Sequence, residues 1–138
     1  MKIVYSKLSD AKKIYAMLRR EKRVAYTLDL VKDLITAKHS FSLKLTDNEK
    51  CIAALGARAE GKNSAWLYYV VVDKNYRQKG CASMLINYFF KEAKKRGVKR
   101  IATDTPDVVF YSKFGFKKVG RIPRWYEDRD QVILFRRL

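Results

Sequence analysis

Residues 67–96 restrict the fold more than any other stretch of this chain. Leu67-Tyr68-Tyr69-Val70-Val71-Val72 is an unbroken apolar run, rich in β-branched and aromatic residues. It predicts a strand buried on both faces. A polar turn, Asp73-Lys74-Asn75-Tyr76-Arg77-Gln78-Lys79-Gly80-Cys81-Ala82, comes next. Ala82, Leu85, Ile86, Phe89, Phe90 and Ala93 then recur at helical spacing and make one apolar stripe. Lys94-Lys95-Arg96 place cations on the last turn, and Gly97 beyond them tolerates the positive φ that ends helices.

A strand, a basic turn and a helix in that order have a physical use. The first backbone N–H groups of a helix have no intrahelical acceptor and carry the positive end of its dipole, so they bind phosphate. Gly80 and the small Cys81, Ala82 and Ser83 let an anion reach the main chain, while Arg77 and Lys79, on either side of Gln78, add charge. The turn predicts a pyrophosphate-bearing ligand. Neither G-x-G-x-x-G nor a P-loop pattern occurs. On the residues alone, an ordinary strand–helix connection with solvated basic side chains stays open as the second reading.

Before this unit, Lys2–Tyr5 reads as a strand. Ser6 or Ser9 is expected to cap a helix running to about Arg20, and Thr27 to cap a second one over Leu28–Lys38. Phe41, Leu43 and Leu45 alternate with Ser42 and Lys44, as in a half-buried strand. Asp47-Asn48-Glu49-Lys50 makes a turn, Cys51–Ala59 returns as a strand, and Gly61-Lys62-Asn63-Ser64 turns into the central one. After it, Arg100–Thr105 is a short strand, parallel to the Leu67 strand because a helix separates them. Pro106 is expected in the first turn of a helix over Asp107–Lys113, and Phe116–Ile122 and Gln131–Arg136 are late strands. The pattern is a single mixed-sheet α+β domain spanning residues 1–138. His39, the only histidine, stands just after a helix and reads as a surface or capping group rather than a base.

With 48% hydrophobic and 33% charged residues, disorder is excluded. No apolar run reaches the roughly 20 residues of a membrane helix. The first residues lack a signal peptide's apolar segment, so a cytoplasmic protein is expected. Cys51 and Cys81 form no C-x-x-C pair, so neither a metal site nor a disulfide framework is suggested. Thirty-one basic residues against 14 acidic ones give a net charge of +17. Such a field gathers polyanions but says nothing about fold. It fits an anionic cofactor, an acidic or nucleic-acid-associated partner, or solubility alone. The clusters Arg19-Arg20-Glu21-Lys22-Arg23, Lys94-Lys95-Arg96 and Lys99-Arg100 read first as solvated faces.

Arg77-Gln78-Lys79-Gly80-Cys81-Ala82 resembles the Arg/Gln-x-x-Gly-x-Gly/Ala signature of the GNAT superfamily of acetyl-CoA-dependent N-acetyltransferases. Val72-Asp73-Lys74-Asn75-Tyr76 is similar to the family's Val-Asp-Pro-x-Tyr lead-in, with Lys74 in place of proline. Phe110-Tyr111-Ser112-Lys113-Phe114-Gly115-Phe116 resembles its later Phe-Tyr-x-x-x-Gly-Phe block. The resemblance implies a mixed twisted sheet of about six or seven strands flanked by about four helices. It also implies acetyl-CoA as cosubstrate, held by the turn Arg77–Ser83 and by the main chain of Val70 and Val72. Tyr111 matches the tyrosine that protonates the departing thiolate. Where many relatives carry a basic glutamate on the central strand, this chain has Tyr68. Relatives that act on protein N-termini place a glutamate on the next strand, where Asp104 is the nearest carboxylate. Pro106-Asp107 replaces an asparagine that often contacts coenzyme A. Trp125-Tyr126-Glu127-Asp128 resembles the Tyr-Tyr-x-Asp/Gly segment of N-terminal and ribosomal-protein acetyltransferases, whose aromatics wall the acceptor's first residues.

The expected activity is transfer of acetyl to a protein N-terminus or lysine, by a monomer or homodimer. A small amine or polyamine acceptor is the rival. Two non-catalytic readings also stand: a basic module associated with nucleic acid or ribosomes, and an acetyl-CoA sensor.

Overall fold

The computed structural model describes residues 1–22, 26–126 and 128–138, so Arg23 of the first basic cluster and Glu127 of the aromatic loop lie outside the described residues. Seven strands form one mixed sheet: β1 (Lys2–Tyr5), β2 (Leu43–Asp47), β3 (Lys50–Ala59), β4 (Ser64–Val72), β5 (Arg100–Asp104), β6 (Lys117–Ile122) and β7 (Gln131–Arg137). Their order is β1-β2-β3-β4-β5-β7-β6. Of the pairings, only β4–β5 is parallel, as its helical crossover requires. The helices are α1 (Ala11–Arg20), α2 (Leu28–Thr36), α3 (Cys81–Lys95) and α4 (Val108–Ser112). Among the described residues no helix is long and apolar enough to cross a membrane.

The sheet separates two cores. On one face, the stripe of α3 (Leu85, Ile86, Phe89, Phe90, Ala93) packs on Leu43, Leu55, Leu67, Ile101 and Leu134. On the other, Ile14 and Leu18 of α1 and Val31 and Leu34 of α2 meet Ala54, Tyr69 and Val71. Strand β4 serves both, which is why its sequence is apolar throughout.

Tyr68 makes that double service regular. Gly56 pairs with Tyr69 and Ala57 with Leu67, so Tyr68 is the extra residue of a β-bulge. The bulge flips the parity of the strand beyond it: Leu67 faces α3, whereas Tyr69 faces α1 and α2. Bulges also bend and twist their strand. Here β4 pairs with β5 only from Ser64↔Arg100 to Leu67↔Thr103, and Thr103 Oγ1 donates to the Leu67 carbonyl at 2.7 Å as the last link. Beyond it the two parallel strands separate.

Several local expectations are corrected. Neither Ser6 nor Ser9 caps α1. A 3₁₀ turn at Leu8–Asp10 precedes it, closed by the Lys7 N–H donating to Asp10 Oδ2 at 2.7 Å. A longer, charged acceptor thus takes the place of the serine hydroxyls. Thr27 does cap α2, its Oγ1 accepting from the Leu30 N–H at 3.1 Å. That helix ends at Thr36 rather than Lys38. Pro106 precedes α4 instead of entering it, because Asp107 is the N-cap and accepts from the Phe110 N–H at 3.0 Å. Helix α3 begins one residue early, at Cys81, and β4 three residues early, at Ser64.

Candidate active site

The separation of β4 from β5 opens a groove of about 440 Å³. Val70 and Val72 line one wall, the turn Arg77-Gln78 and Gly80-Cys81-Ala82-Ser83 closes its end, and Tyr111 and Phe110 of α4 face it. Gly80 is the N-cap of α3 with φ +76°, and it carries no side chain to accept from the first amides of the helix. An ideal Cβ there would meet nothing within 4 Å, so the glycine is required by the left-handed backbone and leaves open space in front of it. Gln78 is also left-handed, at φ +61°. Alternating backbone of this kind gathers N–H groups into an anion-binding concavity. These features fit a pyrophosphate. Lys79 stands apart from the groove's lining, with its ammonium 5.4 Å from the centre of the Tyr76 ring.

The turn is braced from α1. Asp73 accepts from the Asn75 N–H at 2.9 Å and pairs with Lys13 at 3.0 Å. The backbone donor first, and then the ammonium, hold its carboxyl below the usual carboxylate range. Arg77 pairs with Glu21, just past the end of α1, at 3.3 Å.

A second cavity, about 270 Å³, adjoins the first. Tyr26, Tyr68, Asp104, Tyr126 and Arg129 line it, and it shares Glu21, Thr105 and Tyr111 with the groove. Tyr111 is 5% exposed and stands where the two cavities meet. Asp104, at the end of β5, accepts from the Tyr126 hydroxyl at 2.6 Å. Tyr68, in the place of the family's glutamate, turns its hydroxyl to Glu60 at 2.7 Å, and its carbonyl accepts from the Tyr26 hydroxyl. Tyr126 therefore joins the cavity, but Trp125 does not line it and is 60% exposed.

Burial and the neighbouring Asp104 carboxylate push the Tyr126 phenol up to about 12. An unfolded phenol ionises near pH ~10. Between those values the unfolded chain has released a proton that the folded one keeps, so stability falls as pH rises through that window. Tyr126→Phe is expected to make alkaline unfolding shallower there, with no change in slope near neutrality, as read by urea melts across pH.

Glu21 and Tyr26 are site residues that no sequence motif marks. Glu21 is the single acid inside the run 19–23, and that isolation among cations is its one signal.

The chain also resembles known proteins. A family model described as "Acetyltransferase (GNAT) family" matches residues 11–116. No curated protein matches by sequence. Among solved structures, Ard1 from Thermoplasma volcanium superposes with a TM-score of 0.92 at 19% identity, over 99% of this chain and 97% of that one. The ribosomal-protein-S18-alanine N-acetyltransferase from Escherichia coli gives 0.88 at 19%, over 99% and 92%. An aminoglycoside 6'-N-acetyltransferase complexed with coenzyme A gives 0.87 at 18%, over 99% and 97%. At such identities these likenesses establish the fold.

Proposed function

Given that the chain belongs to the acetyltransferase (GNAT) family, we propose that it transfers acetyl from acetyl-CoA to the α-amine of a protein N-terminus by direct attack on the thioester. The observation that carries this reading is the meeting of two cavities at Tyr111: a groove built for an anionic, extended ligand, and a pocket with two carboxylates and three more phenols.

When bound, acetyl-CoA supplies the activated acetyl group. The N–H groups at the start of α3 and the Arg77 side chain hold its pyrophosphate, and the main chain of Val70 and Val72 orients its arm. The Tyr111 hydroxyl gives its proton to the departing sulfur. Asp104, fixed by Tyr126, faces the acceptor pocket, attracts the amine and takes the proton it loses, with Glu21 as a second carboxylate beside it. An α-amine has an ordinary pKa of about 8 against about 10.4 for lysine, so near neutral pH a far larger fraction of it is already the neutral nucleophile. The likeness to the ribosomal-protein-S18-alanine N-acetyltransferase supports the same acceptor class. The likeness to an aminoglycoside 6'-N-acetyltransferase supports a small polyamine as the competing acceptor.

Calorimetric titration with acetyl-CoA at moderate salt tests the groove, with ADP and heparin as controls because a +17 chain binds any polyanion. Saturable binding that survives added salt is expected, and Gly80→Glu should weaken it at least about 10-fold by placing a carboxylate at the anion site. Affinity no better than that for ADP would sink the assignment. Turnover on a peptide with a free N-terminus, lost when that terminus is blocked and its lysines are left free, then fixes the acceptor. A polyamine turned over in preference would replace it.

A further inference from the structure

A third cavity, about 570 Å³, lies beyond α4 and shares Lys113 with the groove. Lys113, Lys117, Arg136 and Arg137 line it with Asn87, Phe114 and Phe135. Its floor is pre-arranged. The Arg136 guanidinium lies 4.3 Å from the centre of the Phe90 ring, and its Nη1 donates to the Phe114 carbonyl at 2.5 Å. The topology extends the charge around it. Arg100 pairs with Arg137 across β5–β7, Lys117 with Phe135 and Lys118 with Leu134 across β6–β7, and the Lys99 carbonyl accepts from the Leu138 N–H. Helix α3 delivers Lys94 and Lys95 to the same end.

Lys99, Arg100, Lys113, Lys117, Lys118 and Arg137 make no ion pair among the described residues. The contrast with the site is sharp, since Lys13 and Arg77 are both matched there. Across residues 91–103, 113–121 and 131–138, Glu92 is the sole acid.

We propose that this end of the sheet docks the phosphate backbone of a nucleic acid. Arg100 and Arg137 stand opposite each other on neighbouring strands, about 4.8 Å apart, and Lys117, opposite Phe135, lies on the same face, so the three make one positive track. A nucleic-acid strand meets such a track with one negative charge per nucleotide. A protein partner would call for apolar anchors, which concentrate at the centre of protein interfaces. Phe114 and Phe135 line this cavity but are half-buried, and none of the exposed large apolar side chains does. Strand β5 runs from Arg100 in this surface to Asp104 in the acceptor pocket, a span of about 13 Å, so a docked strand leaves the acceptor pocket open. Apart from Lys113, which also lines the groove, none of these cations belongs to the two cavities of the candidate active site.

The test measures fluorescence anisotropy of a labelled single-stranded RNA oligonucleotide against salt, on the full chain. Lys117→Glu with Arg137→Glu is expected to weaken binding at least about 10-fold and to flatten the log–log salt slope by roughly 0.7 per lost phosphate contact. Lys99→Glu with Arg100→Glu is an independent second pair. Lys12→Glu with Lys50→Glu, on exposed positions away from this surface, makes the same change in net charge and should weaken binding less than about 2-fold, since distant charges are screened. Circular dichroism melts identify any pair that unfolds. Equal weakening by the site and control pairs would overturn the proposal in favour of a diffuse field. Competition by polyglutamate as strong as by unlabelled RNA would overturn it in favour of an acidic protein partner.

Discussion

Tyr111→Phe is expected to lower turnover about 100-fold, the lower end of what a positioned general acid supplies, and to leave the Kd for acetyl-CoA unchanged. The substitution deletes one oxygen. Its ring keeps the surroundings that hold Tyr111 in place: Phe110 edge-on at 4.9 Å and Phe116 at 5.6 Å. The ring packing is therefore retained, and any shift in thermal stability measures the contacts of the hydroxyl alone. A thiolate needs a proton at the moment it leaves, and a tyrosine hydroxyl in reach of the sulfur can supply it. The decisive pattern is a fall in kcat with Kd unmoved. Unchanged kcat would remove Tyr111 from the chemistry, and weaker binding together with a lower Tm would make it a packing residue. An acetyl-CoA sensor would bind the thioester and turn nothing over before or after the change.

Gly56→Ala is expected to cost about 1–3 kcal/mol, the range for forcing a methyl group into a filled core. An added Cβ would stand 2.4 Å and 2.5 Å from ring atoms of Tyr69. Tyr69 is 1% exposed and has no room to retreat, being edge-on to Tyr26 at 5.6 Å. At this chain length that loss lowers Tm by roughly 4–15 °C. Pairing it with Tyr69→Leu should recover part of the deficit, because the smaller side chain vacates the space above residue 56. Losses that simply add, with no recovery, would show that Gly56 is needed for its backbone and not for the ring.

The sequence made the strand–turn–helix unit legible because each part carries its own periodicity: the run at Leu67–Val72, the glycine turn, and the stripe from Ala82 to Ala93. Thr27 was readable as a cap for the same local reason. The bulge at Tyr68 was not. A strand buried on both faces has no alternation to interrupt, so one surplus residue leaves no mark. The second cavity was half visible. Tyr111, Asp104 and Tyr126 stood in segments with recognisable motifs, whereas Glu21 comes from the end of a distant helix and reached the site through tertiary packing alone. Trp125 shows the opposite failure. Its chemistry suited an acceptor wall, but the hairpin end that carries it directs its neighbour inward instead.

The bulge also bears on how the sheet assembles. Strands β3 and β4 form a hairpin of local pairings, the kind of contact that closes early in folding. A hairpin zipped without the surplus residue would be off by one from Tyr69 onward and would set a tyrosine ring on the α3 side, against a partner strand lined with alanine and leucine. Only the native alignment brings that ring over a residue with no side chain. That alignment is also the one in which β4 parts from β5 beyond Leu67 and the groove opens.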